Sequence, residues 1–141
     1  MASKIILDVN IIMDISLKRS DDLDELVQIY SAIVAGKFRC HITTSMIHIC
    51  GHWLRKAFGL EETRKVLLTI LNDLKVIDAP HDKVVASLHS NFYDIEDSLQ
   101  YYTALHHNID CFISRDKQFI NSALPQLPVY HPKEFIKRFM S

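Results

Sequence analysis

Three short acidic stretches carry the chemistry that this sequence can do. Asp8 interrupts an apolar run, Ile5-Ile6-Leu7-Asp8-Val9-Asn10-Ile11-Ile12. Asp94, Glu96 and Asp97 cluster at the start of a helical stretch, and Asp116 closely follows Cys111-Phe112-Ile113. Converging carboxylates repel, and each is costly to bury ionised without compensation. A hard divalent cation relieves this: Mg2+ or Mn2+ favours carboxylate oxygens and keeps several waters. Such a metal can generate hydroxide from a bound water and steady a phosphoryl oxygen, so the chemistry that fits is metal-assisted phosphodiester hydrolysis. Taken singly, Asp94 and Asp97 also read as helix caps and Asp116 as a turn or cap residue. Asp8 is harder to explain that way, because an aliphatic residue is expected in its place. The conjunction carries the weight.

The elements that must position these acids follow from the patterning. Short apolar segments at 5–7, 39–43, 75–78, 111–113 and 129–130 read as strands. Helical spacing places helices at about 11–18, 23–34, 44–58, 61–74, 83–90, 95–107 and 132–140. Asp22 and Glu25 have capping-box spacing, Thr44 or Ser45 can cap the third helix, and Glu61 and Lys65 are set for an i,i+4 pair. Strands alternating with helices imply a parallel sheet covered on both faces. In such a sheet the site lies beyond the carboxyl ends of the strands, where Asp8 and Asp116 fall.

Composition excludes several alternatives. The chain has 141 residues, 48% hydrophobic and 23% charged, which suits one domain over 1–141 rather than disorder. Three glycines, Gly36, Gly51 and Gly59, cannot build a glycine-rich phosphate loop. Cys40, Cys50 and Cys111 lack metal or disulfide spacing and read as buried thiols. No apolar run reaches membrane-spanning length, and the N-terminus lacks a secretory pattern, so no membrane contact and a cytoplasmic location are expected. A net charge of -1 confines any nucleic-acid contact to local patches.

Three segments together resemble the PIN-domain ribonucleases. Ile6-Leu7-Asp8-Val9-Asn10-Ile11-Ile12-Met13-Asp14 is similar to their opening motif. Asp94-Ile95-Glu96-Asp97-Ser98-Leu99-Gln100-Tyr101 and Ile113-Ser114-Arg115-Asp116-Lys117-Gln118-Phe119 are similar to the two later acidic motifs. Order, spacing and length match across essentially the whole chain, most closely in the VapC-type toxin branch. The resemblance implies a three-layer α/β/α fold with a central parallel sheet, and an endoribonuclease dependent on Mg2+ or Mn2+. It further implies an RNA substrate, a small antitoxin partner and a homodimer. By position, Asp8, Asp97 and Asp116 would be catalytic metal ligands. Asp94 and Glu96 would be auxiliary acids, and Asn10 and Ser114 polar supports. Two positions depart from the family pattern: Val9 replaces a usual Thr or Ser, and Ile49 stands where an acid is usual, five before Leu54-Arg55.

Arg55-Lys56, Arg115-Lys117 and Lys18-Arg19 are placed to rim the acids and steer phosphates, with Arg55, Lys56, Arg115 and Lys117 the RNA-binding candidates. Tyr93, Tyr101 and Tyr102 are candidates for base stacking. His48 and His52 have HxxxH spacing without the Glu of a zinc-protease motif, and packing is the simpler reading. Two functions compete: a metal-dependent endoribonuclease, and a catalytically weakened PIN-like domain that binds RNA or protein. A receiver or DxD phosphatase fits poorly, since Asp8-Val9-Asn10 lacks the second acid.

Overall fold

Five apolar, β-branched segments form the strands, and each crossover between them is helical. The computed structural model describes residues 2–140. The first half runs β1 (Ser3–Leu7), α1 (Val9–Leu17), α2 (Leu23–Val34), β2 (Phe38–Thr43), α3 (Thr44–Phe58), α4 (Leu60–Ile70) and β3 (Leu74–Ile77). The second half runs α5 (His81–Leu88), α6 (Ile95–His106), β4 (Cys111–Ile113), α7 (Lys117–Asn121), β5 (Val129–Tyr130) and α8 (Pro132–Phe139). Every strand pairing is parallel, in the order β3-β2-β1-β4-β5. The chain therefore winds outward from β1 to β3 and then returns to add β4 on the other side. The topological switch lies between β1 and β4, where a ligand crevice is expected.

Ile5, Ile6 and Leu7 are completely buried. Alternation along a strand then means that both faces of the sheet are covered, which gives the three-layer α/β/α architecture expected from the sequence. Ile12, Ile15, Tyr30, Val66 and Ile70 from α1, α2 and α4 surround, with Leu7 and Leu74, an apolar cavity of about 250 Å3 on one face. On the other, Gln100 of α6 reaches Thr43 of β2, and α5 packs on α6. Each aliphatic side chain so buried contributes on the order of 1.5–3 kcal/mol.

Several local expectations need correction. α1 starts at Val9, earlier than the expected 11, because the Asp8 carbonyl accepts from the amides of Ile11 and Ile12 at 3.0 and 3.1 Å. α4 ends at Ile70 and β3 begins at Leu74, so the expected helix to 74 was too long. Asp22 makes no side-chain cap on α2, since its carboxylate accepts from Arg115 instead. Thr43, rather than Thr44 or Ser45, caps α3 by accepting from the Met46 amide. No Glu61–Lys65 ion pair forms among the described residues, as both exposed side chains stay in water. The short α7 was not anticipated, its five residues being too few to show a period.

Candidate active site

Asp8 sits immediately after β1, where its amide still donates to Ile113 of β4 at 2.9 Å. Its Oδ2 accepts from the Ser114 hydroxyl at 2.7 Å, while Ser114 Oγ accepts from the Asp116 amide at 3.1 Å. Ser114 is fully buried and thus joins the ends of β1 and β4 across the switch point. Asp116 caps α7, its Oδ1 accepting from the amides of Gln118 and Phe119 at 2.9 and 3.4 Å. Asp94 caps α6, accepting from the Asp97 amide at 3.1 Å. The cap reading of Asp94 and Asp116 is therefore correct, and it coincides with the site instead of competing with it.

All five acids line one cleft of about 660 Å3: Asp8, Asp94, Glu96, Asp97 and Asp116. Their crowding has an electrostatic signature. Asp97 is pushed up to about 7, first by burial and then by the charges of Asp8, Asp94, Asp116 and Glu96. Burial also raises Asp8, with Asp116 adding to the effect and Ser114 and the Val9 amide opposing it. Such a patch is short of positive charge and suits a cation.

The donor set matches a hard divalent ion in kind: carboxylates, with Asn10 also lining the cleft. In position it is not a finished cage. Among the described residues no three His, Cys, Asp or Glu side chains are grouped to hold an ion as they stand. Asp8, Asp97 and Asp116, the three ligands expected from the family resemblance, all line this cleft. Asp8 and Asp116 are each tied to a local donor, Ser114 and the Gln118 amide.

Ile49 lines this same cleft and is half-buried, which is where an extra acid on α3 would stand. Burial pushes the thiols of Cys40, Cys50 and Cys111 up to about 12, so none serves as a nucleophile at neutral pH.

The basic residues divide differently from expectation. Lys56 lines the cleft and lies 4.9 Å from the centre of the Trp53 ring. Arg19 lines it too, with Nε donating to Asp14 at 2.8 Å. Arg115 donates to Asp14 and, at 2.9 Å, to Asp22. Those pairs hold the Asp14 carboxyl below its ordinary value against the opposing effect of burial. Arg55 and Lys117 are exposed and lie outside the lining of the cleft. Of the tyrosines, Tyr101 is buried, its hydroxyl donating to the Leu127 carbonyl at 2.6 Å. Tyr93 is 82% exposed and flanks Asp94, Asp97 and Asp116 in an adjoining hollow.

Sequence reasoning missed three residues here. Trp53, half exposed, lines the cleft. Gln100 is buried beneath it, its amide donating to Ser45 Oγ at 2.8 Å and its carbonyl accepting from Thr43. Asp14, inside the opening motif, anchors two arginines. A polar Gln on the inner face of α6 was the available signal for Gln100; the other two had none.

Fold and cleft together define a PIN-type domain. Residues 4–118 match the PIN-domain family model, and the chain belongs to that family. Over 143 residues it is 26% identical to the ribonuclease VapC1 of Aquifex aeolicus (strain VF5), covering 98% of this chain and 96% of that protein. The fold is similar to that of VapBC2 from Rickettsia felis, in a crystal structure bound to a DNA fragment from their promoter. That likeness has a TM-score of 0.67 and 16% identity, covering 89% of this chain and 96% of that one. PAE2754 from Pyrobaculum aerophilum is similar with a TM-score of 0.61 and 15% identity, covering 99% and 98%. Among the described residues no helix is long and apolar enough to cross a membrane.

Proposed function

We propose that the chain is an endoribonuclease that needs Mg2+ or Mn2+ and serves as the toxin of a toxin–antitoxin pair in the cytoplasm. One observation carries the reading: five carboxylates from three separate segments line a single cleft at the β1–β4 switch point. The family membership and the likeness to a VapC ribonuclease support it. The VapBC2 likeness favours a small antitoxin partner, and a homodimer of this single domain over 1–141 belongs to the same reading.

Asp8, Asp97 and Asp116 would hold the ion, with Asp94 and Glu96 adding negative charge around it. The chemistry that a bound divalent ion supplies is activation of a water and neutralisation of phosphoryl charge. The protein's own groups do the rest. Ser114 fixes the Asp8 carboxylate and favours its ionised form. Lys56 and Arg19 on the cleft wall attract the phosphate backbone, while the acids repel it unless their charge is neutralised. Asp97, pushed up to about 7, is a proton-holding group near neutrality when no cation faces it.

Incubation with single-stranded RNA in Mg2+, Mn2+ or excess EDTA tests the reading. Cleavage in either metal that disappears in EDTA is expected; equal cleavage in EDTA, or none in any condition, contradicts it. Ile49 in the cleft supports a second reading, a PIN domain acting by binding RNA or protein. RNA binding without cleavage in either metal favours that one.

A further inference from the structure

At the opposite end of α6 from Asp94, the sheet carries a second polar cleft of about 610 Å3. Its polar lining is Lys4, Arg39, His41, Asp73, Lys75 and His107. The parallel register sets Lys4 beside Arg39 and His41 beside Lys75. Side chains alternate along strands, so these four project from one face, with neighbouring strands about 4.8 Å apart. Like charges so placed destabilise a sheet unless something neutralises them.

Among the described residues no ion pair does so: Lys4, Arg39 and Lys75 enter no salt bridge there. The nearby acids are turned to other donors. Asp73 accepts from the Tyr30 hydroxyl at 3.2 Å, and Asp110 accepts from the Lys4 backbone amide at 2.7 Å. Asp78 accepts from the Thr44 hydroxyl at 3.0 Å.

A second observation is independent of the charge. His41 is only 8% exposed, lines this cleft, and its Nδ1 is buried with no hydrogen-bond partner among the described residues. Buried polar atoms are nearly always satisfied, by protein, water or a ligand. A tetrahedral oxyanion supplies what is lacking on both counts: negative charge for three cations and an oxygen for the His41 ring nitrogen, His107 being engaged with the Asp78 carbonyl.

We propose that this cleft binds phosphate groups of an RNA strand, as an anchoring site separate from the acidic cleft. The choice of RNA rests on the function proposed above; the oxyanion chemistry does not. The 12 residues of α6 separate the two clefts, roughly 18 Å at 1.5 Å per residue, a reach of a few nucleotides.

The test is fluorescence anisotropy with a labelled single-stranded RNA in EDTA, repeated over a range of salt. Lys4→Gln/Arg39→Gln/Lys75→Gln should weaken binding about tenfold or more at low salt. The slope of log affinity against log salt should flatten by about 2, for three lost contacts at about 0.7 each on a single strand. Arg39→Gln alone, at an exposed and unpaired position, should flatten it by about 0.7 and guards against misfolding of the triple variant. In parallel, His41 ring signals in the 15N-histidine-labelled protein should move on adding RNA or inorganic phosphate, but not sodium chloride of equal ionic strength. Unchanged affinity and slope in the triple variant overturn the proposal whatever the cleavage result. Movement of His41 with phosphate but unchanged RNA affinity marks a small-anion site and overturns the RNA assignment. Asp8→Asn separates the two ideas, since it should lose cleavage yet keep the wild-type salt slope. If it cleaves normally while the triple variant loses RNA, the metal-nuclease reading fails and the anchoring cleft stands.

Discussion

Ser114 Oγ donates to Asp8 Oδ2 at 2.7 Å and accepts from the Asp116 amide at 3.1 Å, so one buried hydroxyl couples two acids of the cleft. Its bond to Asp8 favours the ionised carboxylate, opposing the effect of burial. Ser114→Ala should therefore raise Asp8 further and cost about 1–3 kcal/mol of stability. The loss should be greater at pH 8 than at pH 4, because the bond is stronger to the ionised acid. Urea unfolding of both proteins at the two pH values checks this; a pH-independent loss contradicts it.

Arg115 with Asp14 and Asp22 braces the floor beside the cleft. Arg115→Ala leaves Asp14, 11% exposed in its side chain, with Arg19 alone. Breaking a buried pair costs about 3–5 kcal/mol, and partial solvent access to Arg115 reduces this to about 2 kcal/mol. The paired Asp14 has a lowered folded value, so its stabilisation is present above the ordinary 3.8 and lost as pH falls through the folded value. The variant, keeping only the Arg19 pair, should show a weaker acid-side dependence, measured as the thermal midpoint from neutral pH into the acid range.

Asp97 carries the opposite sign. Raised from 3.8 to about 7, it binds a proton more readily in the folded chain than in the unfolded one. Its contribution is full below about 3.8 and is lost as pH rises towards about 7. Asp97→Asn removes that loss, so the variant should gain stability relative to wild type as pH rises across this window and hold the gain above it. Thermal unfolding from pH 4 to 8 reads the difference; a constant offset contradicts the crowding of the acids.

Much of the site was legible because its acids are punctuation. Asp8 breaks an apolar run, while Asp94 and Asp116 begin helices, so position in sequence gave position at the strand and helix ends. The order of strands and helices was legible through periodicity. Arg115 was not, because its partners Asp14 and Asp22 lie on distant segments. Ordinary solvation and ion pairing look alike in a sequence. Trp53, Gln100 and the cationic cleft of Lys4, Arg39 and Lys75 depend on strand register and helix rotation, which spacing alone does not set.

Ile49 tests the correspondence with the family motif. It is half-buried on the cleft wall, so Ile49→Glu faces the acids and partial solvent rather than a sealed core. An added carboxylate should tighten Mg2+ binding. The rise in thermal midpoint produced by Mg2+ should accordingly exceed that of wild type. A uniform destabilisation without a larger metal response contradicts the vacated-ligand reading and makes His48 and His52 the next positions to vary.

The central claim is that the carboxylates of this cleft jointly hold a divalent cation. Mn2+ titration followed by electron paramagnetic resonance measures it directly, since free and bound Mn2+ give distinct signals. Wild-type protein should bind Mn2+ at neutral pH, and Asp8→Asn and Asp97→Asn should each weaken that binding about tenfold or more, in the range of close charge–ligand losses. Equal Mn2+ binding by wild type and both variants, or none by wild type, would contradict the account.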